Sequence, residues 1–135
     1  MPRPERAQPG YAYEWALLRV VPRVERGEFL NVGVLVYCQA ADVLVALLAL
    51  DEGRLLALDG GADLAAIREH LEAVRRLAAG GDGTGASGAR APGDRFRWLV
   101  SPRSTVVQAG PVHTGVSDDP EREAAQLLAR LVAAP

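Results

Sequence analysis

The chain is poor in the residues that most often carry chemistry. It holds one cysteine, Cys38, so neither a disulfide nor a cysteine-based metal site forms within it. Its two histidines, His70 and His113, fit no H-x-x-x-H or H-E-x-x-H spacing, so no metal and no cofactor is expected. Aromatics make up only 5% of the residues, too few for the stacking platforms of single-strand binders. The longest apolar run, Val43 to Leu50, is far too short to span a bilayer. The segment Met1 to Gly10 lacks the apolar stretch of a signal peptide, so a soluble cytoplasmic protein is expected. The formal net charge is −2, which offers no electrostatic footprint for nucleic acid or an anionic membrane. Alanine and arginine replace isoleucine and lysine nearly everywhere, a bias that suggests a GC-rich bacterial genome.

What is present is ordinary globular material. Hydrophobic residues reach 49% and charged residues 24% of 135, enough for one domain with a real core. Residues 1–10, rich in Pro and Arg, read as a disordered arm, and 11–135 as a single α+β domain. Tyr11 to Val21 reads as a strand that is apolar on both faces and ends at Pro22. Arg23 to Glu28 is a polar turn near Gly27. Phe29 to Cys38 is a second doubly apolar strand, Gln39 to Asp42 a short turn, and Val43 to Leu50 a third strand. Short links imply a three-stranded antiparallel meander within a mainly antiparallel sheet.

Two main helices follow from spacing. Arg54 to Leu58 is at most a helical turn before Gly60-Gly61. Asp63 is a predicted N-cap, and Leu64, Ile67, Leu71, Val74 and Leu77 recur at three- and four-residue steps until Gly80-Gly81. Gly80 to Asp94 is low in complexity and reads as a flexible loop with no helix start after it. Phe96 to Val100 and Ser104 to Ala109 read as short extended segments, and Pro111 to Val116 as extended loop or edge strand. Asp118-Asp119-Pro120-Glu121 opens a last helix, with Ala124, Leu128 and Leu131 on one face. If the helices cover only one sheet face, the other must be buried by the C-terminal segments or by a second subunit.

The segment Arg26 to Tyr37 combines a buried strand with polar groups at its entrance, Glu28 and Asn31. Such groups must be hydrogen-bonded or they cost stability. A turn centred near Glu25 sets Arg19 opposite Asn31, Leu17 opposite Gly33 and Trp15 opposite Leu35. Arg19, Asn31 and the gap above Gly33 then share a face, and Glu28 is a natural partner for Arg19, Arg23 or Arg26. The first reading is a structural knot in which Arg19, Glu28 and Asn31 satisfy one another. The second is a notch for an anion or carboxylate centred on the rigid donor fork of Arg19, with Arg103 contributing.

The remaining candidates favour plain readings. Ser101-Pro-Arg-Ser-Thr105 is read as a Ser/Thr turn before a strand rather than a phosphate cradle. Gln108 is a hydrogen-bonded edge residue, His70 lies on a solvated helix face, and Cys38 is a small buried hydrophobe. No nucleophile elbow accompanies the serines, and no catalytic residue is assigned.

The run Leu18-Arg19-Val20-Val21-Pro22, followed by Arg26-Gly27-Glu28-Phe29-Leu30-Asn31-Val32-Gly33-Val34, resembles a bacterial family catalogued as domain of unknown function 3037. Its hallmark is a strand ending R-x-x-P, an R-G-E turn and then x-N-x-G-V. The likeness extends over nearly the whole chain. It implies no established activity. It does imply gene neighbourhood with HipA-like kinases, and hence an accessory role with such a kinase as partner. The expectation is a non-enzymatic module that binds a protein partner or itself. The alternative is an enzyme or binding protein for an anionic small molecule, using Arg19, Glu28, Asn31 and Arg103.

Overall fold

The computed structural model describes residues 10–81 and 90–133, so most of the expected N-terminal arm and the centre of the glycine-rich segment lie outside the described residues. The α+β class holds. Strands β1 (Tyr11–Val20), β2 (Leu30–Cys38) and β3 (Val43–Leu48) form the antiparallel meander. Two short strands, β4 (Val107–Ala109) and β5 (His113–Ser117), pair end to end along the other side of β1. One edge of the sheet is therefore β3 and the other is divided between β4 and β5.

Helices lie on both faces. On one face sit α1 (Glu52–Leu58), α2 (Leu64–Ala79) and α3 (Pro92–Leu99), and on the other α4 (Pro120–Leu131). Aspartates start three of the four. Asp51, Asp63 and Asp119 each accept a hydrogen bond, at 3.0–3.1 Å, from a backbone N–H three residues on. The expected stripe of α2 is the buried one, with Ile67, Leu71 and Val74 against the sheet. On α4 the burial falls on Ala124 and Leu127, while Leu131 of the expected stripe is exposed. The last helix thus covers the second sheet face, as the doubly apolar strands require.

Helix α3 corrects an extended assignment for Phe96–Val100. Pro92 stands in its first turn, where a missing N–H costs no hydrogen bond. Phe96 and Leu99, three residues apart, then fall on one buried face, with the Phe96 ring stacked 5.4 Å from that of Tyr37. The glycine-rich run is therefore followed by a helix start, and Pro92–Asp94 belongs to that helix.

The register of the first hairpin departs from a uniform ladder at one place. Arg19 pairs with Asn31 as expected, but Leu18 pairs with Gly33, Leu17 with Val34 and Trp15 with Val36. Val32 is the extra residue of a β-bulge. Below it Leu30 and Val32 face the α1–α3 side, and beyond it Leu35 and Tyr37 do. Val34, Val36 and Cys38 face α4. Gly33 does not share the face of Asn31. A Cβ there would meet the Leu47 carbonyl oxygen and Leu48 Cδ2 at 2.7 Å, and Leu18 on the α2 side at 3.4 Å. Glycine at this position is required by close approach of the neighbouring strand. Gly33→Ala is expected to lower unfolding free energy by about 1–3 kcal/mol through overpacking, measured by urea denaturation.

Candidate functional site

The bulge ends where the polar row begins. Arg19 on β1 pairs with Asn31 on β2 to one side and with Gln108 on β4 to the other. Paired residues of adjacent strands share a face, so Gln108, Arg19 and Asn31 form a row across three strands. The guanidinium lies 4.1 Å from the centre of the Phe29 ring. It also presses against Gly110, where any Cβ would collide with Arg19 Nη2. The backbone fixes that neighbour, since Gly110 N donates to Leu17 O at 2.8 Å.

The row is not self-satisfied. Arg19 Nε and Asn31 Oδ1 are buried with no hydrogen-bond partner. Asn31 spends its amide on Leu131 O, at 3.4 Å, near the C-terminus of α4. Gln108 donates instead to Thr105 O at 2.7 Å. Arg19 makes no ion pair with any described carboxylate. Each buried orphan costs about 1–3 kcal/mol. The structural-knot reading is therefore corrected, because its three members do not satisfy one another.

Glu28 pairs with Arg26 at 2.8 Å, and both side chains are exposed. It supplies no counter-charge to Arg19. Arg103 lies elsewhere as well. Its guanidinium sits 3.9 Å from the centre of the Trp98 ring and donates to Trp98 O. Of the four expected site residues, only Arg19 and Asn31 come together. The contributions of Phe29 and Gly110 were missed. Phe29 stood in the strand pattern as one more apolar residue, and Gly110 followed a strand end where glycine is common.

Other candidates resolve simply. Thr105 Oγ1 donates to Val107 O at 2.8 Å, so this hydroxyl is engaged with its own strand. Cys38 is fully buried, and its thiol approaches Ala12 O at 3.5 Å. His70 is half-buried rather than solvated. It lines a groove of about 580 Å³ between Pro22, the start of α2 and residues 104–107. His113 is on β5, its ring 4.5 Å from Trp15. The described residues contain no cluster of metal-ligating side chains. No helix among them is long and apolar enough to cross a membrane.

A family model described as protein of unknown function (DUF3037) matches residues 15–132. The chain belongs to this family. No curated protein and no solved structure matches it. The DUF3037 match begins at Trp15, within β1, and ends at Val132, just beyond α4, so it takes in the Arg19 row and both cores except Tyr13.

Two outcomes are expected in this DUF3037 chain. Glu28→Gln removes only an exposed ion pair and changes unfolding free energy by less than about 1 kcal/mol, measured by urea denaturation. The second concerns Tyr13, whose hydroxyl is pushed above its ordinary range, first by burial and then by Glu123. A raised pKa favours the neutral form in the fold, so this stability is complete below about pH 10 and is lost as pH rises further. Tyr13→Phe is expected to flatten the alkaline fall of the melting temperature.

Proposed function

We propose that the domain is a protein-binding module that receives an extended segment of its partner along the free edge of β3. The observation that carries this is the edge itself. β3 pairs with β2 on one side only. Ala49 N donates inward to Val32 O, at 2.7 Å. Backbone groups alternate along a strand, so Leu44, Ala46 and Leu48 turn their N–H and C=O groups outward.

Edge strands usually refuse partners by carrying charge, proline or a bulge. Val43 to Leu50 contains no charged residue, no proline and no glycine. Its side chains divide between the two cores: Leu44, Ala46 and Leu48 pack with the α2 side, and Val43, Val45 and Leu47 with the α4 side. All six remain half-buried. A strand added alongside extends the ladder and deepens both cores together, which is the strand-addition mode of peptide recognition. The partner is a protein segment, with a HipA-like kinase and a second copy of the chain as the two candidates.

Ala46→Pro is the expected separating variant. It removes an outward N–H and leaves the inward ladder bonds in place. In affinity capture, a protein held by the wild-type chain, a second copy included, is lost with Ala46→Pro. It is retained with Val116→Lys, a change at the exposed β5 edge. Capture unchanged by Ala46→Pro, in a variant still folded by circular dichroism, contradicts the proposal.

A further inference from the structure

We infer that Arg19 anchors a second binding site, for a carboxylate group carried on an apolar body, on the α4 face of the sheet. The inference is independent of the β3 edge. Among the described residues three arginines are half-buried: Arg19, Arg95 and Arg103. Arg95 and Arg103 donate to backbone carbonyls, Arg95 to Ala78 and Arg90 and Arg103 to Trp98. Arg19 donates to nothing. Its Nε is buried without a partner, as is that of Arg95, but its terminal nitrogens, one of them against Gly110, have no acceptor either and are not among the fully buried orphan atoms. A guanidinium that stays charged, half out of water and without a counter-ion, is a site that an anion completes.

The surroundings choose the anion. Phe29 and Gly110 both pack against the guanidinium, so the fork is preorganised before a ligand arrives. The fork matches the two oxygens of a carboxylate. The flanking row positions, Asn31 and Gln108, are neutral, and the C-terminal carbonyl end of α4 lies beside Asn31. That end of a helix carries partial negative charge. One cation beside it balances a single negative charge and not the two of a phosphate. Phe29, an exposed large hydrophobic against the guanidinium, supplies contact for an apolar body. Either a free small acid or the C-terminal carboxylate of a peptide offers this chemistry.

The test is a titration of the folded chain followed by the backbone amide NMR signals of Asn31, Gln108 and Gly110. The probes are phenylacetate, N-acetyl-Ala-Phe with a free C-terminus, its C-amidated twin and inorganic phosphate. At least one carboxylate is expected to shift these signals saturably, with the amidated peptide silent and phosphate weaker. Response to the dipeptide alone assigns the site to chain ends, and response to phenylacetate admits small acids. Arg19→Lys, which keeps the charge and loses the fork, is expected to weaken binding about tenfold. The exposed Arg54→Gln is expected to leave it unchanged. Silence from both carboxylates, equal binding of the amidated peptide, tighter binding of phosphate, or an unaltered affinity in folded Arg19→Lys each overturns the inference.

Discussion

A strand that alternates without interruption shows each side chain to one face for its whole length, and a single polar residue then disturbs one core throughout its register. β2 escapes this through one extra residue. Val32 bulges out of the pairing with β1, and Gly33 lets the β3 backbone come close at that point. Leu30 and Val32 face the α1–α3 core before the bulge, and Leu35 and Tyr37 face it after. Asn31 is left on the α4 side, next to Arg19. Two well-filled cores and one unsatisfied polar row are consequences of the same inserted residue.

Much of the fold was legible because its signals are local. The meander, the α2 stripe, the Asp63 cap, the helix start at 118–121 and the strand end at Pro22 each depend on residues close in sequence. Arg19 opposite Asn31 was legible too, since those positions lie nearest the turn, where a register estimate has the least distance over which to drift. It failed from Gly33 onward because a bulge leaves no local mark except a glycine, and glycine has many uses. α3 was misjudged for a related reason. Its burial rests on two residues, Phe96 and Leu99, and a two-residue spacing does not separate helix from strand.

The site was half legible. Arg19 and Asn31 were joined by strand pairing, which sequence spacing expresses. Phe29 reaches Arg19 through side-chain direction, and Gly110 arrives from a segment ninety residues away, so neither carries a local signal. Glu28 and Arg103 were attractive by charge alone. Charge has many claimants in a chain with this much arginine, and Arg26 and the Trp98 ring were nearer. The two surfaces left unfinished differ in kind. The β3 edge lacks backbone partners and suits an extended protein segment, whereas the Arg19 row lacks a counter-charge and suits a carboxylate.

Everything placed on the α4 face depends on the bulge, and its register can be measured directly. Cross-strand proton contacts in the NMR spectra of the full chain report which residues face each other. The account predicts Arg19 opposite Asn31 together with Leu18 opposite Gly33. A uniform ladder, with Leu17 opposite Gly33, contradicts it.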